Sequence, residues 1–323
     1  MSLKYFADYL QEWEKDPDSR PRSRRAASIK RRHRQAEMRE TLVESGDNAG
    51  GGFNPSFSSS RHEREWILTY LGPFYDDQLI ADVLRQVKGG KEANVYCCQA
   101  HAATGLALIA AKVYRPQMFR NLRNDARYRQ GRAVRDEEGK AVWGRREQVA
   151  LTKKTRYGQD LRHTAWLLNE FETLRRLHAA GLDVPQPLAY NDNAILMEYR
   201  GAALQPAPLL SEVSLAPDEA RPLFDRLIWN VEQMLACDRV HGDLSAHNIL
   251  YWDGTATIID FPQAVDPAIN PDAFELLARD VVRLCQYFAR WGVVADAAAL
   301  AADLWQRMIP AERDARLAGE VPI

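Results

Sequence analysis

The sequence predicts an α+β fold, in which a small antiparallel β lobe precedes a reduced helical lobe. Three observations carry that reading. Between residues 83 and 116, three strand-like segments, "VLRQVKGG", "ANVYCCQAH" and "ALIAAKVYRP", are separated by glycine-containing turns. Residues 160–180 then repeat apolar side chains at helical spacing and stop at Gly181. From Pro217 onward helical periodicity dominates, interrupted by one short hairpin.

In chain order, residues 1–62 read as a flexible tail. "RPRSRRAASIKRRHR" is rich in Arg and holds no acid, and "SGDNAGGGFNPSFSSS" is Gly/Ser-rich. Residues 63–200 read as the β lobe. It opens with a short helix in "EREWILTYLGPFYDDQLIADVLRQV", which leads into the first strand. Turns at Gly89-Gly90 and Ala103-Thr104-Gly105 join the three strands of a meander. The Arg-rich stretch at about 115–160 is far longer than an ordinary connection and reads as an insertion. After the 160–180 helix, "PLAYN" and "AILMEYRG", joined by Asn-Asp-Asn, complete a five-stranded sheet. Residues 201–323 read as the helical lobe. A helix over 217–237 shows its apolar stripe in Leu223, Leu227, Val231, Met234 and Leu235. A loop, a hairpin of "ILYW" and "ATIID", and two or three helices over 271–317 follow, with no internal repeat.

Bulk composition says little about partners. Lys plus Arg is 43 and Asp plus Glu is 44, a formal net charge of −1 over 323 residues. The basic charge is concentrated in 20–34 and 115–162, which suit RNA or an acidic protein surface. No apolar run approaches the roughly 20 residues of a membrane helix. The opening "MSLKYFADYLQEWEKDPDSR" is too acidic for an export signal and lacks an apolar core, so a cytoplasmic protein with no membrane role is expected. Cys97, Cys98, Cys237 and Cys285 form no metal-ligand pattern and read as free thiols.

The chemistry starts at "RVHGDLSAHNIL", residues 239–250. Phosphoryl transfer needs an acceptor hydroxyl aimed in line at the γ-phosphate, with a carboxylate to orient it and take its proton. Asp243 suits that role. An amide oxygen five residues later, on Asn248, can ligate Mg²⁺. A second carboxylate must come from another segment. Asp260, closing "ATIID", fits because the "WDG" turn returns that strand beside Asn248. Ser245 stands where ordinary protein kinases carry Lys, and Gly242 where they carry Arg.

Lys112 lies in the apolar strand "LIAAKVY" and needs an anion. Trp166, Glu170, Leu174 and Leu177 form one helical stripe, so Glu170 sits among core positions and is the economical partner. Glu172, on another face, is left to Arg175 or Arg176. Lys112 is then expected to reach the α- and β-phosphates. "VKGGKEANVY" is neither a Walker loop nor G-x-G-x-x-G. Gly89 and Gly90 still let backbone amides approach oxyanions, with Lys88 and Lys91 adding charge. In "AILMEYRG", Met197 is placed to flank an adenine, with the backbone of Glu198 and Arg200 facing it. Asp280, in an otherwise apolar helix, is placed to accept backbone amides of the 241–243 loop.

Together these segments resemble the RIO family of atypical protein kinases. "GGKEANVY", "AAKVYR", "NEFETLRRLHAAGLDVPQPLAY", "ILMEYRG", "HGDLSAHNILY" and "IIDFPQAVDP" carry the likeness over roughly residues 75–292, closer to the first RIO subtype and with a bacterial look. The resemblance implies a bilobal protein-kinase-like fold without the usual activation segment. It implies ATP and Mg²⁺ (or Mn²⁺) as cofactors, Asp243 as catalytic residue with Lys112 and Glu170, and Asn248 and Asp260 as metal ligands. It makes the Gly and Ser of "HGDLS" expected rather than degenerate, and it accounts for a loop after Lys112. One departure is that Lys88-Gly89 replace the Ser-Thr usual before "GKEA". The expected activity is serine/threonine phosphorylation of a protein substrate or of the chain itself. The rivals are an ATPase switch on RNA or a ribosomal particle, and a small-molecule kinase. The latter usually carries His after "HGDL", where this chain has Ser245.

Overall fold

A computed structural model describes residues 53–90, 93–114 and 156–309. Lys91, the basic stretch 20–34 and the insertion up to residue 155 lie outside the described residues. The first helix, α1 (Arg61–Asp76), starts in one compact unit that includes residues 59–72, and ends in a second that runs from Pro73 to the C-terminus. The second unit holds both lobes and everything the site uses.

β1 (Ile80–Gly89), β2 (Ala93–Ala100) and β3 (Leu108–Tyr114) form the antiparallel meander, and β5 (Ala194–Glu198) and β4 (Pro187–Tyr190) complete the order β1-β2-β3-β5-β4. Lys112 stands opposite Val95 on one side and Ile195 on the other, in the central strand. Gly90 closes the first turn with its amide on the Ala93 carbonyl at 2.9 Å. A Cβ there would fall 2.7 Å from that same oxygen, so the close approach demands glycine. Both Cys97 and Cys98 are buried, though β2 turns them to opposite faces, and all four cysteines are free thiols.

The helix α2 (Arg156–Ala179) begins four residues before the expected 160 and packs Trp166, Leu167, Phe171, Leu174 and Leu177 inward. It ends with the Leu182 amide on the Leu177 carbonyl at 3.2 Å and Gly181 at φ 79°. The chain reverses there through the left-handed region that glycine enters at no steric cost. α3 (Pro217–Ala236) starts with Pro at its first position, and the Glu219 carboxylate accepts the Ala216 amide at 2.9 Å.

Between the sheet and α3 lies a feature the sequence reading missed, a small hairpin of β6 (Gly201–Ala202) and β7 (Gln205–Pro206). Gly201 has φ 121°, and a Cβ would fall 2.5 Å from the Gln205 carbonyl. Arg85 of β1 fastens it, donating to the Ala203 carbonyl at 2.9 Å and to the Tyr199 hydroxyl at 2.6 Å.

β8 (Ile249–Trp252) and β9 (Thr255–Ile258) turn at Asp253-Gly254, both with positive φ, the signature of a tight primed turn. The second strand stops at Ile258, two residues short of the "IID" expectation. Asp260 has φ 73°, a left-handed backbone that cannot continue a strand. α4 (Ala273–Ala289) buries Leu276, Leu277, Val281, Leu284 and Phe288, and α5 (Ala297–Met308) packs on it through Trp305 against Phe274. Among the described residues no helix is long and apolar enough to cross a membrane.

Candidate active site

A cleft of about 580 Å³ runs between the sheet and the helical lobe. Its walls include Lys88, Gly90, Lys112, Glu170, Met197, Glu198, Arg200, Asn248 and Asp260, so most of the sequence-derived residues meet in one place. Gly89 and Asp243 are not in its walls.

Lys112 is the centre of the sheet side. Its Nζ lies 2.5 Å from Glu170 Oε1 and 2.6 Å from Asp260 Oδ1. β3 also carries Tyr114, two residues on and therefore on the same face of the strand. The Tyr114 hydroxyl donates to the other oxygen of Glu170. Sequence reasoning missed this second donor, although the period-2 spacing from Lys112 would have found it. The Glu170 side chain is only 3% exposed, yet both its oxygens have donors. Trp166 packs edge-on to the Tyr114 ring at 4.8 Å and closes the cluster.

The electrostatics follow from that geometry. Burial works against the charge on Lys112, but the carboxylates of Asp260 and Glu170 outweigh it and hold the ammonium well above the ordinary lysine range. Burial also works against ionisation of Asp260, and there the charge and hydrogen bond of Lys112 win, holding the carboxyl below its usual value. Burial, then the Glu170 carboxylate, push the Tyr114 phenol well up, so it stays a proton donor. Glu172 sits on the outer face of α2 and pairs with Arg175 at 2.6 Å.

The loop side is organised by α4. Asp280 is buried, and its two oxygens accept the amides of Gly242 at 2.8 Å and Leu244 at 2.9 Å. These flank Asp243. Burial pushes the Asp280 carboxyl up to about 7, even though Arg279 and the two amides pull it down. Arg279 donates to the Gly242 carbonyl, and Arg283 donates to Asp243 Oδ1 at 2.7 Å. Neither arginine was singled out from the sequence. The signal was present, since residue 283 is one helical turn from both 279 (i, i+4) and 280 (i, i+3).

His241 joins the two loops. Its Nδ1 is 3.3 Å from the Asp243 amide and must accept, so its proton is on Nε2, which donates to the Ile259 carbonyl at 3.2 Å. Burial holds this imidazole below its ordinary value, which suits a neutral ring making both bonds. Asn248 donates its amide nitrogen to the Asp243 carbonyl at 2.9 Å, with Asp243 Oδ2 at 3.4 Å. Its amide oxygen is thus the atom left for a cation. The residues fit a hard divalent ion. Asn248 and Asp260 offer oxygen donors on the same cleft, and no cluster of three acidic, His or Cys ligands exists among the described residues. Two protein oxygens completed by phosphate and water is what Mg²⁺ prefers.

At the far end lie Met197, Glu198 and Arg200, the residues expected to face an adenine. The Glu198 amide is already given to the Gln186 carbonyl at 2.8 Å, and the Arg200 carbonyl accepts from Ala207 at 3.0 Å. The Arg200 amide has no acceptor among the described residues, and the buried Arg200 Nε also has none.

A β lobe over a helical lobe, with a Lys of the sheet paired to a Glu of the helix α2 and an Asp–Asn loop beside an Asp after the next hairpin, defines a protein-kinase-like fold. The segment after Asp260 runs through a two-residue bridge, Val265 to Val240, straight toward α4, with no activation segment between. A family model described as the RIO domain matches residues 94–300, and the chain belongs to that family.

Relatives agree. A protein named serine/threonine-protein kinase RIO1, from Caenorhabditis elegans, is 31% identical over 208 residues, covering 64% of this chain and 37% of the relative. A RIO-type serine/threonine-protein kinase Rio1 from Haloferax volcanii is 32% identical over 212 residues, 65% of this chain and 64% of the relative. The matched stretch thus spans less than two thirds of either relative's length. A Rio2 kinase–ADP/Mg²⁺–phosphoaspartate complex from Chaetomium thermophilum shares the fold, with a TM-score of 0.53 at 19% identity, covering 88% of this chain and 79% of that one.

Proposed function

We propose that this chain is an ATP- and Mg²⁺-dependent serine/threonine protein kinase of RIO type, whose acceptors include its own hydroxyls. The observation that carries the reading is Lys112, bonded at once to Glu170 and Asp260 in a cleft that Asn248 also lines. Lys112 would hold the α- and β-phosphates, with Glu170 and Tyr114 keeping its ammonium in place. The Arg200 amide and Met197 would receive the base. Asn248 and Asp260 would hold Mg²⁺, which supplies neutralisation of the phosphate charge. Asp243, beyond the cleft walls and 46% exposed, would meet the acceptor hydroxyl as it arrives from outside. The acceptor O–P bond forms as the bond from the γ-phosphorus to the β-bridging oxygen breaks. The hydroxyl proton passes to Asp243, and ADP leaves.

A second reading is favoured by the 43% exposure of the Asp260 side chain within the cleft. There the γ-phosphoryl lands on Asp260 itself, and ATP turnover acts as a switch, with RNA or a ribosomal particle bound through segments 20–34 and 115–162. One experiment separates the two. Protein incubated with γ-labelled ATP and Mg²⁺ is assayed for acid-stable label, acid-labile label and free phosphate, beside Asp243→Ala and Asp260→Ala. A protein kinase gives acid-stable phosphoserine or phosphothreonine that falls about 10²–10⁴-fold in Asp243→Ala. Acid-labile label with free phosphate, lost only in Asp260→Ala, supports the switch. No turnover in the parent protein rejects both.

A further inference from the structure

The loop that carries Asp243 holds no fixed cation of its own. Ser245 stands two residues on, and its hydroxyl accepts the His247 amide at 3.4 Å, capping the short turn Ala246–Asn248. Its side chain is therefore used locally. The cation comes instead from α4. Arg283 Nη1 lies 2.7 Å from Asp243 Oδ1, while Oδ2 of the same carboxylate faces the Asn248 amide at 3.4 Å. The two oxygens are thus unequal. One is held by a guanidinium, and the other is turned toward the residue that lines the cleft.

This contact is not needed to hold the loop. The backbone of 242–244 is already fixed by Asp280 through two amides and by Arg279 through the Gly242 carbonyl. Nor does the pair lie in the core. The Arg283 side chain is 25% exposed and that of Asp243 46%, and ion pairs so placed contribute little to folding. What the contact does define is the rotamer of a carboxylate whose other bonds are weak.

We propose that Arg283 is a positioning residue for phosphoryl transfer. It clamps Asp243 Oδ1 so that Oδ2 meets the acceptor hydroxyl, and it places beside that carboxylate the fixed positive charge that Ser245 does not supply. The proposal rests on the reading of Asp243 as the acceptor-orienting carboxylate. Transfer depends steeply on such alignment, because a small misplacement of a reacting group slows the step by orders of magnitude.

The test uses the full chain with Arg283→Met, which keeps much of the apolar stem, Arg283→Lys, which keeps the charge, and Asp243→Ala. Steady-state transfer from ATP to the acceptor is measured together with affinity for a fluorescent ADP analogue. The expected result is a fall in kcat of about 10–100-fold in Arg283→Met, with KM for ATP and ADP-analogue affinity within twofold of the parent, and partial recovery in Arg283→Lys. Three results would overturn the proposal. These are a kcat within twofold of the parent in Arg283→Met, a higher kcat (an ion pair that restrains Asp243 instead), and loss of nucleotide affinity in both Arg283 variants, which would make Arg283 part of the fold. If Asp243→Ala itself retains full transfer, the underlying reading of Asp243 fails, and that outcome is distinct from all three.

Discussion

Around Lys112 the site is held by side-chain charges that cross between elements, whereas around Asp243 it is held by backbone amides gathered onto one helix. β3, α2 and the turn after β9 each contribute one charged group to the first, with Lys112 bonded to both carboxylates. At the second, Asp280 binds the loop by its main chain, which leaves the Asp243 side chain half-exposed and adjustable. A mutation therefore strikes differently on the two sides. On the sheet side a lost partner strands a buried charge. On the loop side it misaligns an exposed one.

The largest expected effect breaks the sheet side. Lys112→Met leaves Glu170, 3% exposed, with Tyr114 as its remaining donor among the described residues, and should cost about 3–5 kcal/mol of stability, read as a lowered urea midpoint. Lys112→Met combined with Glu170→Gln should recover much of that loss, since no charge is then stranded. If the single and double variants unfold at the same midpoint, the buried pair is not what holds this side.

A smaller effect is expected at Asp280. Its carboxyl in the folded chain lies at about 7, above the ordinary 3.8, so the fold favours its protonated form. The stability from this group is fully present below about pH 4 and is lost as pH rises through about 7. Asp280→Asn should flatten that slope between about pH 4 and pH 7. It should also cost about 1–3 kcal/mol at low pH, because its amide nitrogen would face one of the two loop amides. An unchanged slope would mean that Arg279 and the two amides keep Asp280 ionised throughout.

The smallest effect sharpens the contrast by showing what an exposed pair is worth. Arg175→Ala removes the partner of Glu172, both side chains being largely in solvent, and should shift stability by less than about 0.5 kcal/mol. A larger change would mean that α2 relies on its outer face as well as on the stripe of Trp166, Glu170 and Leu174.

Much of this was legible from residue spacing. Period-2 alternation marked the strands, and the i, i+4 stripe on α2 placed Glu170 inward toward Lys112. The Asp-x4-Asn interval and the Asp closing the hairpin picked out Asn248 and Asp260, which line one cleft. The misses have physical causes. The β6–β7 hairpin has two residues per strand, too short for any period to register, and it forms because Gly201 can adopt φ 121° and Arg85 reaches it from β1. The end of β9 was placed too late because "ATIID" is apolar to its last step, while the turn of the backbone at Asp260 is a matter of φ alone. Arg200, taken only as a backbone contact, also carries a buried side-chain nitrogen without an acceptor.

By itself, then, the sequence determined the order of strands and helices, the inward face of α2 and the identity of the charged groups, because hydrophobic period and residue chemistry are local properties. Tertiary structure alone decided which of those groups touch. Whether Lys112 bonds Glu170, Asp260 or both, and which residue takes hold of Asp243, depends on segments up to 148 positions apart meeting within hydrogen-bond distance. No local pattern encodes such a meeting. The packing of α4 under the loop and of β3 against α2 does.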